Sequence, residues 1–146
     1  MKKSNEMKLT FQSRSVNERF ARSAVASFAA CLDPTLEELT DLRTAVSEAV
    51  TNSIIHGYQE KIGTVYITAA IYPDSRIVIR IRDTGCGIED IGRAMEPLYT
   101  SDPGGERAGL GFAVMQSLCD KVKVSSKPGR GTSVVLTKKM GQKQDE

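Results

Sequence analysis

Apolar and polar residues alternate in MKLTFQS, with Leu9 and Phe11 on one face, which predicts a short first strand. The period then changes. In VNERFARSAVASFAACL, residues Phe20, Ala21, Ala24, Val25 and Phe28 recur at helical spacing, and Glu18, Arg19, Arg22 and Ser23 fill the other face. LDPT interrupts the pattern, with Asp33 as a candidate cap and Pro34 suited to a first helical turn. A second helix is expected from about Thr35 to Ile55, with Leu39, Leu42, Val46, Ala49, Val50 and Ile54 as its core face and Gly57 as its stop.

GTVYITAAI and RIVIRI are rich in β-branched residues and are separated by YPDS, the signature of a hairpin. RDTGCGIEDI leaves that hairpin through glycines. GRAMEPLYTSDPGGERAG is long, aperiodic and broken by Pro97, Pro103, Gly104 and Gly105. LGFAVMQSLCD predicts a third helix. KVKVSSKPGRGTSVVLTKK predicts two strands around a Pro-Gly turn, and MGQKQDE a polar tail. The order β-α-α-β-β-loop-α-β-β implies an α+β protein, a two-layer sandwich whose mixed, mostly antiparallel sheet carries its helices on one face.

Length and composition narrow this picture. A chain of 146 residues without repeats is expected to form a single domain, 1–146, with a core large enough to need no staples. The net charge of +2 argues against direct nucleic-acid binding, which calls for a clustered basic face. Cys31, Cys86 and Cys119 are odd in number and far apart, so neither a disulfide framework nor a zinc cluster is expected. The segment MKKSNEMKLTF has no apolar core of signal-peptide length, so no secretory leader is expected, and no apolar run approaches membrane-spanning length. The expected compartment is cytoplasmic.

Four polar islands carry the candidate chemistry. Glu48, Asn52 and His56 follow at four-residue steps within VSEAVTNSIIHGY. Each step drifts only about 40° around an α-helix, so the three form one narrow stripe; a solvated helix face also has this form. DTGCGI, Asp83 to Ile88, places a carboxylate at a strand end before Gly85 and Gly87, which permit a tight turn and close approach by a ligand. A glycine turn in which Asp83 bonds its own backbone fits the same letters. GERAGLGF brings Arg107 and two glycines to the start of a helix, where free N–H groups favour phosphate. It is neither a Walker A loop nor a dinucleotide fingerprint. GRGTSVVL opens the last strand with Thr132.

In this order the islands resemble the N box, DxGxG box, ATP lid and GxG box of the Bergerat-type ATP-binding fold. That fold is shared by DNA gyrase, the Hsp90 chaperone, sensor histidine kinases and MutL proteins. The matching segments are SEAVTNSIIH, DTGCGI, EPLYTSDPGGERA and GLGF. Within that group, VSEAVTNSIIHGY, IRDTGCGI, NERFARSAVASF and LDPTLEELTDLRTAVSEAVTN resemble the anti-sigma serine kinases of sporulating bacteria.

The resemblance implies Mg²⁺ on Asn52, with ATP or ADP held by His56, Asp83, Gly85, Gly87, Ile88, Arg107, Gly109, Leu110, Gly111 and Thr132. His56 is equally suited to capping its helix end. Glu48 would be the catalytic base, Arg107 would act on the γ-phosphate, and residues of about 89–108 would form the lid. The resemblance further implies a sporulation sigma factor as the inhibited partner, phosphorylation of a serine on an anti-anti-sigma protein, and a homodimer. Arg19 and Arg22 are candidate partner contacts. Alternatives are a sister kinase serving a stress-response sigma factor, an ATP-gated binding module without phosphotransfer, a histidine-kinase catalytic domain, and a gyrase- or MutL-like ATPase.

Overall fold

The computed structural model describes residues 1–88 and 111–141. Its elements are β1 (Asn5–Gln12), α1 (Val16–Ala29), α2 (Leu36–Asn52), β2 (Thr64–Ile71), β3 (Arg76–Arg82), α3 (Gly111–Leu118), β4 (Lys121–Lys127) and β5 (Gly131–Lys139). The five strands form one sheet in the order β1-β2-β3-β5-β4. All four described pairings are antiparallel, so the parallel pair that a mixed sheet would contain is not among them.

Register sorts the two faces. Leu9, Ile67, Ile81, Val134 and Val124 stand opposite one another across all five strands, and Met7, Ala69, Ile79, Leu136 and Val122 form the next such row. These rows and the inner faces of the helices make up the core. A slip of one residue would turn every row outward, so the apolar alternation holds the register. The helices lie on this face. α2 is central and packs on both α1 and α3, burying Leu42, Ala45, Val46, Ala49 and Val50, with Ile54 just beyond its end.

The start of α2 differs from the sequence expectation. Thr35, rather than Asp33, is the N-cap. Its hydroxyl accepts from the Glu38 N–H, and the Glu38 carboxylate accepts from the Thr35 N–H, a reciprocal capping box. Asp33 instead takes a left-handed turn (φ 53°) after a 3₁₀ turn, Ala30–Leu32. In α1, Ala21 and Val25 are buried as expected, but Phe20 is 52% exposed and meets Phe11 edge to face. The polar tail starts later than Met140, which is fully buried. Gly141 N–H still donates to Glu38.

Candidate nucleotide site

The end of α2 builds one wall of the site. After Asn52 the helix widens into a π-turn, Ser53–Gly57, closed by the Tyr58 N–H donating to the Ser53 carbonyl at 2.9 Å. Such single π-turns inside or at the end of α-helices concentrate at functional sites. Glu48, Asn52 and His56 are all half-buried along this stretch.

The DTGCGI loop packs backbone to backbone against the turn. Cys86 N–H donates to the Gly57 carbonyl at 2.8 Å, and the Cys86 thiol to the His56 carbonyl at 3.1 Å. Gly85 is required for this approach, since a Cβ there would stand 2.1 Å from the Gly57 oxygen. Gly87 has φ +76°, and a Cβ would meet the Lys127 carbonyl at 2.2 Å.

Asp83 lies beneath the loop, 2% exposed. Its Oδ1 accepts from Gly85 N–H at 3.0 Å and from Thr132 N–H at 3.3 Å. Its Oδ2 faces Gly57 and is buried without a hydrogen-bond partner among the described residues. Burial pushes the carboxyl pKa above its ordinary value, opposed by the Gly85 and Thr132 N–H groups and by the nearby Ser53 hydroxyl. A buried acceptor lacking a donor is costly unless a ligand supplies one. An exocyclic amine is such a donor.

Thr132 supports Asp83 through its main chain. Its hydroxyl lies 2.9 Å from Ser126 Oγ. Ser126 also accepts from Ile88 N–H at 2.7 Å, fixing Ile88 at the end of the loop.

Tyr58 fastens the other end. Its hydroxyl donates to the Thr64 carbonyl at 2.5 Å and accepts from the Thr84 N–H at 2.8 Å, while its ring lies against Gly63. Ser53, Tyr58 and Ser126 were not legible as site residues, because their partners lie up to 38 positions away along the chain. Removing only the Tyr58 hydroxyl isolates this role. Tyr58→Phe is expected to cost about 1–2 kcal/mol of stability, read from urea melts, and to weaken ATP binding at the same time. Unchanged melting and binding would show that the loop holds without it.

At the other end of the stripe, α3 begins against Glu48: a Cβ on Gly111 would lie 3.4 Å from Glu48 Oε2. The first N–H groups of α3 and a carboxylate thus face one region. Asn52, one turn after Glu48, offers an amide oxygen, the hard donor that Mg²⁺ accepts when phosphates and water complete its shell. Arg107 and the rest of the expected lid, about 89–108, lie outside the described residues, as do Gly109 and Leu110.

The cysteines differ in environment. Cys31 and Cys86 are exposed, whereas burial pushes the Cys119 thiol up to about 11. At pH 8, iodoacetamide is expected to label Cys31 and Cys86 about tenfold or more faster than Cys119 by peptide mass mapping, since the thiolate is the nucleophile. Equal rates would contradict the burial of Cys119.

A sheet covered on one face by helices, with a glycine loop over a buried carboxylate, defines a class of nucleotide-binding ATPase domain. Residues 11–138 match the histidine kinase-like ATPase domain family, and the chain belongs to it. The chain is 55% identical to the anti-sigma F factor of Clostridium acetobutylicum over 97% of its own length and 98% of that protein's, with the same figures for the anti-sigma F factor of a Thermoanaerobacter species. Within the family it therefore belongs with the anti-sigma F factors. In fold it is similar to the structure of the RsbU and RsbW domains of Rv1364c from Mycobacterium tuberculosis, with a TM-score of 0.69 at 19% identity over 94% of this chain; it spans 33% of that longer chain.

Proposed function

We propose that the chain is an anti-sigma factor that restrains a sporulation sigma factor, and a kinase that uses Mg-ATP to phosphorylate a serine on an anti-anti-sigma protein. One observation carries the reading. The polar edge of α2 and its π-turn touches Gly111 at Glu48 and the buried carboxylate of Asp83 at Gly57. Nine residues of helix separate those contacts, roughly 13 Å, the scale of a nucleoside triphosphate.

Laid along that edge, adenine meets the unpartnered Asp83 oxygen through its amine, beside Gly85 and Gly87 and against the apolar side chain of Ile88. The phosphates reach the backbone N–H groups of Gly109, Leu110 and Gly111. Mg²⁺ on Asn52 offsets their charge when bound. Glu48 stands where it can take the proton from an incoming serine hydroxyl as the γ-phosphoryl group leaves ADP. Arg107 completes the charge stabilisation, and His56 borders the phosphate end.

The serine-bearing partner has a candidate dock on α1. Arg22, Thr40, Arg43, Thr44 and Ser47 line a cleft of about 320 Å³ between α1 and α2, next to Glu48 in sequence. Arg22 is held by Glu18 at 3.4 Å, and its Nε is buried without a hydrogen-bond acceptor among the described residues. Two guanidinium groups and three hydroxyls suit an acidic partner segment, and Arg19, exposed on the same helix, extends the dock. A homodimer holding sigma, released when the anti-anti-sigma protein takes its place and re-formed once that protein is phosphorylated, follows from this reading. Bound ADP would hold the anti-anti-sigma protein in a lasting complex.

The test is transfer of γ-labelled phosphate from Mg-ATP to a purified anti-anti-sigma protein. Label on a partner serine, lost in Glu48→Gln and Asn52→Ala, supports the proposal. ATP binding with no transfer to any such protein leaves an ATP-gated binding module and removes the kinase.

A further inference from the structure

The face of the sheet turned away from the helices has a composition of its own. One residue out of register from the apolar rows, Lys8, Thr68, Arg80, Val135 and Lys123 stand opposite one another across the five strands. The next outward row is Thr10, Tyr66, Arg82, Ser133 and Ser125. Lys121 and Lys127 extend the basic surface along β4, and all these lysines and arginines are exposed. Glu6 is the only carboxylate on the five described strands, and Lys3 already pairs with it. α2, by contrast, carries Glu37, Glu38, Asp41 and Glu48 against one arginine, Arg43. The total of +2 is therefore a sum of unlike layers, an acidic central helix and a basic sheet face.

Edge protection accounts for part of this, since lysines on β4 discourage pairing with another sheet. It does not account for Arg80 and Arg82 on the central strand, flanked on both sides. Two guanidinium groups of this face are set over rings, Arg82 at 4.2 Å from the Tyr66 centroid and Arg76 at 4.3 Å from that of Tyr72. Stacked in this way Arg82 keeps its N–H edges for oxygen acceptors, whereas Arg76 already faces the Asp74 carboxylate at 3.5 Å.

We propose that this open sheet face binds duplex DNA through its phosphate backbone, without sequence preference. The composition selects among occupants. A second copy of this chain would bring like charges together. A folded protein partner would need an apolar, charge-depleted centre to the interface. Among the described residues the large exposed apolar side chains are Met1, Val16, Phe20, Leu36, Ile55 and Ile62, and none lies on a strand. Single strands bind by stacking bases on free aromatic faces, and Tyr66 and Tyr72 are each covered by an arginine. What the face does offer is guanidinium, ammonium and hydroxyl groups, the usual donors to phosphate. It measures about 19 Å across the strands and about 25 Å along them, enough for several phosphates.

The experiment is fluorescence anisotropy of the full chain with a labelled 20-base-pair duplex, a single strand of the same length and poly-glutamate, at 50 and 200 mM salt. Duplex binding should weaken roughly a hundredfold over that salt range, as expected for about four phosphate contacts. The double variant Arg80→Glu, Lys123→Glu should lose duplex binding more than tenfold while ATP binding, measured in parallel, stays unchanged. No duplex binding at 50 mM salt, duplex binding indifferent to the two substitutions, or poly-glutamate or single strands bound as tightly as duplex would each overturn the proposal.

Discussion

Glu48→Gln is expected to slow phosphate transfer to the partner serine by about 10²- to 10⁴-fold, the usual contribution of a positioned general base. ATP affinity should change only a few-fold. Glutamine keeps the length and planarity of the side chain, so packing against Gly111 at the start of α3 survives. What it loses is the ability to accept a proton. The discriminating measurement is a split between single-turnover transfer and equilibrium nucleotide binding. A fall in both by the same factor would make Glu48 a binding group. Undiminished transfer would move the base elsewhere.

Asp83→Asn should produce the second large effect, with opposite signs for binding and stability. Oδ1 already accepts two backbone N–H groups, so the amide oxygen must stay there and the amide nitrogen must replace Oδ2. A donor would then face the adenine amine. ATP affinity is expected to fall roughly a hundredfold, the cost of a mismatched buried hydrogen bond to a charged group.

Without nucleotide, the same variant should be the more stable protein at neutral pH. Burial raises the Asp83 pKa above 3.8, so the fold favours the protonated form. That contribution is complete below pH 3.8 and is lost as pH rises through the raised value, beyond which a buried charge weighs against folding. Asparagine carries no charge at any pH. Its melting temperature should exceed that of the natural chain at pH 7.5, and the gap should close as pH falls toward 4. A gap that widens toward acid would contradict the raised pKa.

Periodicity carried most of the architecture. Leu42, Val46, Ala49, Val50 and Ile54 form a 3.6-residue pattern, and the strands alternate at two, so the core face of each was readable from local order. Strand order was less accessible. The β4–β5 hairpin could have joined the sheet by either strand, and it does so by β5, whose Val134 and Leu136 meet Ile81 and Ile79. The capping box at Thr35 was present as a local signature, but the nearby Asp-Pro pair competed with it as a helix start. Of the candidate site, the residues that announce themselves by chemistry or by glycine were legible as candidates, and Arg107, Gly109 and Leu110 among them lie outside the described residues. Those that brace it by hydroxyl, Ser53, Tyr58 and Ser126, look like any other hydroxyls until the chain is folded. The basic sheet face was hidden for another reason. A total charge averages over surfaces, and only the register separates them.

The π-turn at Ser53–Gly57 sets the phase between two parts of the site. An α-helix fixes Glu48 and Asn52. The wider turn then advances the chain by a smaller angle per residue, so that Gly57 arrives against Asp83 and Cys86. Deleting one residue from the regular helix between Glu48 and that turn would rotate everything after it by about 100° relative to Glu48. The Glu, Asn, DxGxG and GxG letters would all survive, and a motif search tolerant of gaps would pass the sequence. Its two half-sites would no longer face the same ligand. In this fold the spacing between motifs is itself a functional element, as exposed to damage by a deletion as Glu48 is to a substitution.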